Sequence, residues 1–334
     1  MVSELSQTEE RTHRRLLDCV GNTPLVVLGQ TSSELCHNVL AKLDFLNPTG
    51  SVKDRIALYI IEKAERLGII RPGDLIVDNS SGNTAISVAM VAAVKGYRSL
   101  FTVPDKTSKE KIDLIRAFGA EVVVCPTDVP HDHPDGYYLA ARRIASERGA
   151  YLFDQYNSPL NIESHYATTG PEIWQQTNGT VDVFIAGIGT GGTLSGAARF
   201  LKEQRPSVRV VAVDPVGSIF NNLFYFNELS VPGRYHVEGI GSDTPCGALD
   251  MSVIDEIVQI DDNQAFHFAR RLVREEGLLV GGSSGSAVAG VAEWAKRHPE
   301  QGPLNVVTIL PDSGQRYVSK FLSDDWMRRE GLMV

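Results

Sequence analysis

Within residues 47–68, NPTGSVKDRIALYIIEKAERLG, Ile56, Ile60, Ala64 and Leu67 recur at helical spacing. Gly68 is placed to stop the helix, and Pro48, Thr49, Gly50 and Ser51 form a turn ahead of it. Lys53 then falls in the first helical turn. The macrodipole is positive there, and an ammonium loses about 0.3–1 kcal/mol that a carboxylate would gain. A solvated lysine offset by neighbouring Asp54 is the plain account of this segment. Breaks of a local rule nevertheless concentrate at functional sites, and an amine pushed toward its neutral form is a nucleophile for carbonyl groups.

Three other stretches could meet that lysine. Residues 79–84, NSSGNT, lie between the apolar run DLIV and AISVAMVAAVK, a helix apolar on nearly every side and hence buried. Its free N–H groups, beside the hydroxyls and amides of the turn, suit a carboxylate. A helix cap needs one such residue, whereas five of these six are Ser, Asn or Thr. Residues 187–193, GIGTGGT, follow VFIA and open LSGAARFLKEQ. Gly187, Gly189 and Gly192 satisfy G-x-G-x-x-G, and Asp214, 22 residues past Gly192, completes a dinucleotide fingerprint on spacing alone. An NAD-dependent dehydrogenase is therefore the rival reading. The turn itself says only that backbone amides can approach phosphate closely, and lacking G-K-[ST] it is not a Walker loop. Residues 281–286, GGSSGS, after GLLV and before AVAGVAEWA, supply a third turn for which a dinucleotide has no evident use. A compact aromatic cofactor gripped at several edges would use it. Amine, carboxylate turn, phosphate turn and hydroxyl turn together match the needs of pyridoxal phosphate: a covalent partner, a phosphate cup and a group for the ring nitrogen.

The elements that must carry these turns are short apolar runs alternating with helical patterns. Strands are expected at 39–43, 75–77, 99–103, 121–125, 183–186, 208–213 and 306–310, with helices at 53–67, 85–95, 109–118 and 194–202 among them. This alternation predicts an α/β fold of open, largely parallel sheets, whose ligands bind at the carboxyl ends of the strands. The 334 residues suffice for two such units. A net charge of −9 argues against nucleic acid or an anionic membrane as partner and favours small-molecule chemistry. The polar start MVSELSQTEERTHRR has no signal-peptide core and no apolar run is long enough to span a bilayer, so a cytoplasmic protein is expected. Cys19, Cys36, Cys125 and Cys246 show no metal-ligand spacing and read mostly as small core residues. His131 and His133 in PHDHPDG lack further ligands at zinc spacing, so no metal site is expected. His165 is read as supporting the fold, Cys246 as a small buried residue near the substrate loop, and Asp324 and Asp325 as solvated.

With these turns in order, the chain resembles the pyridoxal-phosphate-dependent β-replacement enzymes of the tryptophan synthase β (fold-type II) family, most of all cystathionine β-synthase catalytic cores and next cysteine synthases. The likeness runs from VGNTPLV through GSVKDR, SSGNT, FDQYNSP, HYATTGPEI, GIGTGGT, VEGIG, EEGLLVGGSSGS and ILPDS to FLSDDWM. The resemblance implies two three-layer α/β domains, a smaller mobile one at 48–157 carrying the substrate-carboxylate turn and a larger one at 1–47 plus 158–334 carrying the phosphate turn. It implies that Lys53 joins the cofactor covalently and serves as general base and acid, and that Asn83 bonds the phenolic oxygen. Gly189, Thr190, Gly191, Gly192 and Thr193 would bind the phosphate and Ser283 would meet the pyridine nitrogen. Ser80, Ser81, Thr84 and Gln155, with Gly239 and Ser242, would face the substrate. The implied reaction replaces the β-group of serine or an O-activated serine by a thiol through an aminoacrylate intermediate, with homocysteine as the acceptor of the cystathionine β-synthase type. Cysteine synthase, a specialised β-substituted alanine synthase and a serine or threonine dehydratase stand as alternatives, and a catalytically silent relative is disfavoured by Lys53 and SGNT. A homodimer without haem and without adenosylmethionine-binding modules is also expected. Ser242 stands where such synthases usually carry tyrosine after GIG, and Asp78, Asn79 and Ser80 where they carry E-P-T, which leaves the nucleophile and leaving group open.

Overall fold

The computed structural model describes residues 15–129, 133–299 and 302–333. Among these residues ten strands form two sheets. The first three are β1 (Leu25–Val27), β2 (Asn38–Lys42) and β3 (Leu75–Asp78), followed by β4 (Arg98–Pro104), β5 (Glu121–Cys125) and β6 (Tyr151–Leu152). The remainder are β7 (Val183–Gly187), β8 (Arg209–Pro215), β9 (Glu256–Ile260) and β10 (Asn305–Ile309). The six-stranded sheet runs β1-β2-β10-β7-β8-β9 and the four-stranded sheet β5-β4-β3-β6. Every pairing is parallel except β1 with β2. The predicted strands are all present within about two residues of their expected ends. The two-residue β6 and the three-residue β1 are too short to show a period.

The helices are α1 (Gly29–Leu35), α2 (Lys53–Arg66), α3 (Asn83–Lys95), α4 (Lys109–Ala117), α5 (Tyr137–Arg148) and α6 (Pro159–Ala167). They continue as α7 (Thr169–Gln176), α8 (Gly192–Gln204), α9 (Phe220–Phe226), α10 (Asp262–Glu275), α11 (Gly282–Arg297) and α12 (Asp324–Arg329). The central strands are buried on both faces, as parallel sheets covered by helices must be. One core packs β2, β10, β8 and β9 against α10 and α11, with Trp294, Phe266 and Phe321 as its large members. A second fills the opposite face of the same sheet beneath α7 and α8. A third joins the four-stranded sheet to α2 and α3 through Ile56, Ile60, Ile86, Met90 and Phe101. Among the described residues no helix is long and apolar enough to cross a membrane.

Three predicted helices start earlier than their apolar periodicity indicates. α3 begins at Asn83, α8 at Gly192 and α11 at Gly282, so most of the GGSSGS turn is already helical. Serine, glycine, asparagine and threonine are poor in helix interiors but suited to first turns, where apolar periodicity gives no sign of them. Each of the three thus presents its first-turn N–H groups beside small polar side chains.

Candidate active site

Lys53 is the first residue of α2, and the turn before it is pinned to the end of β10. Val52 N–H donates to Pro311 O at 2.8 Å, and Ser51 pairs with Asp312 in an isolated bridge. The side chain borders the cavity but is otherwise enclosed by protein, and this burial lowers its ammonium pKa, with Asp312 and Asp44 opposing. Asp54 does not offset it. That carboxylate turns away to accept from Thr49 N–H at 2.7 Å and from Ser87 Oγ at 2.5 Å, tying the turn to α3. The solvated-lysine account therefore fails on both counts.

Two residues beyond Lys53, Arg55 is locked in a buried charge cluster. Its Nε and Nη2 donate to Asp44 at 2.8 and 2.9 Å, while Nη1 and Nη2 donate to Glu172 of α7 at 2.6 and 2.8 Å. Lys42 at the end of β2 meets the same Glu172 at 2.7 Å. Burial pushes the Asp44 carboxyl up, but Arg55 outweighs it and holds the group below its ordinary value; Glu172 is held down in the same way. The cluster joins α2, β2 and α7 in one rigid foundation under Lys53.

A cavity of about 700 Å³ opens over Lys53. Ser80, Ser81, Asn83, Thr84 and Gln155 line one side of it. Thr84 Oγ1 donates to Gln155 Oε1 at 2.6 Å, so two of the expected carboxylate-binding residues already touch. Ser80 Oγ accepts from Ala85 N–H at 3.3 Å and caps the first turn of α3. Asp78, fully buried at the end of β3 just before this turn, is pushed up to about 7 by burial. Gly189, Thr190 and Gly239 line the other side. A second cavity, of about 30 Å³, lies between Lys53 and the glycine turn and is lined by Thr190, Gly191 and Thr193. Gly191 has φ +93°, and a Cβ there would stand 2.5 Å from Leu249 Cβ; one on Gly189 would strike Gly239 O and one on Gly192 the Asn161 carboxamide. The turn is glycine because protein already fills the space behind it, leaving its amides open on the cavity side. Asp214, the acid of the dinucleotide spacing, is buried and accepts Asn221 N–H at 2.9 Å, a role inside the fold.

Asn83 donates Nδ2–H to Asp312 Oδ2 at 2.8 Å, and Tyr317 O–H donates to the same oxygen at 2.7 Å. Asp312 Oδ1 is buried with no hydrogen-bond partner among the described residues. Burial raises the Asp312 carboxyl, opposed by Asn83 and Tyr317. Ser283, in the first turn of α11, lies against Gly239, where a Cβ would be 3.9 Å from its Oγ. Ser242 turns its hydroxyl to Thr244 O at 2.7 Å, one residue beyond the cavity-lining Gly241.

Some sequence expectations move. Cys125 and Cys246 are buried but Cys19 and Cys36 are exposed, because Cys19 ends the helical turn 16–19 and Cys36 follows α1 at the surface. Asp324 is an ion-pair partner of the buried Arg270, while Asp325 is solvated as expected. His131 lies outside the described residues; His133 accepts Asp135 N–H at 3.2 Å, and no cluster of metal ligands occurs among the described residues. Several cavity residues are given no role in the sequence reading, although Tyr156 lies in FDQYNSP and Glu238 in VEGIG. Tyr137, Tyr156, Lys111 and Glu238 line the cavity, Lys111 pairing with Glu238 at 2.6 Å. Asp312 and Asn161 are likewise site residues that pattern reading missed, Asp312 although it lies in ILPDS, Asn161 because it falls between FDQYNSP and HYATTGPEI.

A family model described as pyridoxal-phosphate dependent enzyme matches residues 16–312. The chain is 46% identical over 321 residues to a cystathionine beta-synthase of Oryctolagus cuniculus, covering 95% of this chain and 58% of that protein. It is 41% identical over 303 residues to a cysteine synthase of Staphylococcus aureus (strain Mu50 / ATCC 700699), covering 90% and 94%. The chain thus spans less than two thirds of the rabbit protein but nearly all of the bacterial one. The crystal structure of an O-ureido-L-serine synthase superposes with a TM-score of 0.85 at 37% identity, covering 95% of this chain and 99% of that one.

Proposed function

The chain belongs to the pyridoxal-phosphate-dependent enzyme family, and from that premise we propose that it catalyses β-replacement on serine or an O-activated serine with a thiol as nucleophile. The residues fit the cofactor. A half-buried amine, Lys53, borders both cavities; a turn of glycines has no room for Cβ atoms behind it; Asn83 lines the larger cavity, and Ser283 lies against Gly239 of its wall. Bound pyridoxal phosphate supplies the electron sink that acidifies the Cα–H of an amino acid and lets its β-substituent leave.

The protein's own part is binding, orientation and proton transfer. Gly189 to Thr193 hold the phosphate at the start of α8, where the helix dipole and free N–H groups favour an anion. Ser80, Ser81, Thr84 and Gln155 hold the substrate carboxylate at the start of α3 by the same physics. Lys53 takes the Cα proton and later returns it, a task that needs an amine of lowered pKa. Ser283, in the first turn of α11, would offer the ring nitrogen a neutral hydroxyl, which would leave the ring a moderate electron sink and favour prompt loss of the β-group. The observation that carries this reading is Lys53 itself, enclosed at a helix start and opening on both cavities.

Homocysteine as acceptor is the finer proposal, supported by likeness to cystathionine beta-synthases; likeness to cysteine synthase supports sulfide with O-acetyl- or O-phosphoserine. Gly239 and Ser242 border the region where the acceptor would enter. A cytoplasmic homodimer, with residues 48–157 as a smaller mobile domain, belongs to the same proposal. The test is a matrix of serine, O-acetylserine, O-phosphoserine and cysteine against sulfide, homocysteine and amines, read by product mass. A β-substituted alanine from one donor–acceptor pair, abolished by Lys53→Ala, supports the reaction class. Pyruvate alone, or products unaffected by Lys53→Ala, contradicts it.

A further inference from the structure

Helix α6 carries two buried polar side chains one turn apart on one face, Asn161 and His165, and each reaches a threonine of the glycine turn. Asn161 Nδ2 donates to Gln155 O at 2.8 Å and to Thr190 Oγ1 at 3.0 Å. A carbonyl oxygen can only accept, so the first bond fixes which end of the amide faces Gln155. Thr190 Oγ1 is then an acceptor in the second bond, and its own hydrogen is free to turn toward the cavity. His165 repeats the arrangement one turn later. Its Nδ1 lies 2.8 Å from Thr169 Oγ1 and its Nε2 lies 3.1 Å from Thr193 Oγ1.

The ring is fully buried, with Arg55 and Lys53 as positive neighbours, and stays neutral. It therefore carries one N–H. With the hydrogen on Nδ1, Thr193 would donate to Nε2 and show an anion only lone pairs. With it on Nε2, Thr193 accepts from the ring and keeps its hydrogen for the anion. The spacing between α6 and α8 leaves little slack, since a Cβ on Gly192 would strike the Asn161 carboxamide and one on Gly196 would stand 2.7 Å from His165 Cβ.

We propose that Asn161 and His165 are positioning residues that make Thr190 and Thr193 hydrogen donors toward the bound phosphate, with His165 held as the Nε2–H tautomer. The inference rests on the pyridoxal-phosphate reading of the glycine turn. Each residue works through a threonine, so its contribution is specific to ligands that carry the phosphate.

Two measurements test it. In cofactor-free protein labelled with [15N]histidine, the His165 resonances, identified by their loss in His165→Gln, show a protonated Nε2 and a bare Nδ1 across neutral pH, with and without inorganic phosphate. An Nδ1–H ring or an imidazolium overturns the proposal. In titrations with pyridoxal phosphate and with pyridoxal, His165→Phe weakens the phosphate-bearing ligand about tenfold, the worth of roughly one hydrogen bond, and leaves pyridoxal unchanged. His165→Gln, whose amide can still donate, recovers most of the loss, and in a Thr193→Val background His165→Phe adds nothing. Equal weakening of both ligands, or losses that add independently of Thr193, overturn it. A wild-type chain that takes up no pyridoxal phosphate overturns the cofactor reading instead, while the tautomer, read without cofactor, is judged separately.

Discussion

The buried cluster beneath Lys53 gives a quantitative prediction for Glu172→Gln. Glu172 makes three charged contacts, at 2.6 and 2.8 Å to Arg55 and 2.7 Å to Lys42. The Arg55 and Lys42 side chains are 1% and 0% exposed, so neither cation can turn to water when its partner is neutralised. Removing one partner of such a pair costs about 3–5 kcal/mol, and because glutamine keeps the shape and one accepting oxygen the loss should fall near the lower figure, about 3 kcal/mol. Glu147→Gln, which breaks the exposed pair with Arg143, serves as control and should cost under about 0.5 kcal/mol. Urea unfolding followed by tryptophan fluorescence reads both, with Trp174 on the same helix as Glu172. The pH dependence has a definite sign. The native Glu172 carboxyl is held below its ordinary value, so its contribution is complete above about pH 4.3 and is lost as pH falls through the native value. The stability gap between wild type and Glu172→Gln should close in that acid range. A gap no larger than the control's, or one that widens on acidification, would refute the electrostatic account of this cluster.

Further expectations concern the site itself. Gly192→Ala forces a Cβ against the Asn161 carboxamide and should weaken pyridoxal phosphate uptake by about 1–3 kcal/mol, read by absorbance titration of stripped protein. Asp312→Asn removes an opposing charge that keeps the Lys53 ammonium from falling further. The pH profile of cofactor attachment should therefore move to lower pH in that variant, measured by stopped-flow absorbance. Gly191→Ala combines a left-handed φ of +93° with a Cβ 2.5 Å from Leu249 Cβ and should lower both folding yield and cofactor affinity, read by thermal melts with and without pyridoxal phosphate.

The parts of the site legible in sequence were those with an unusual local composition. Lys53 broke a helix rule, NSSGNT had more caps than a helix needs, and GIGTGGT had glycines that only a close approach explains. Sheet type followed from the alternation of apolar runs with helical periods, because buried parallel strands leave continuous apolar stretches. The starts of α2 and α4 were legible at Lys53 and Lys109, but those of α3, α8 and α11 were placed two to five residues late, since these helices open on residues outside the apolar period. Asn161 and His165 were hidden for a different reason. Their i, i+4 spacing is that of any helix face, and nothing local tells that this face meets α8 at Gly192 and Gly196. Asp312 was similarly invisible as a partner of Asn83, 229 residues away. The dinucleotide spacing shows the opposite error, a pattern satisfied by chance once Asp214 is seen serving Asn221 inside the fold.

Borohydride treatment of the purified protein loaded with pyridoxal phosphate, followed by peptide mass mapping, bears most directly on the role given to Lys53. A single stable adduct on the peptide containing Lys53, with loss of the visible absorbance and none in Lys53→Ala, is the predicted result. An adduct on another lysine, or no adduct at all, would contradict it.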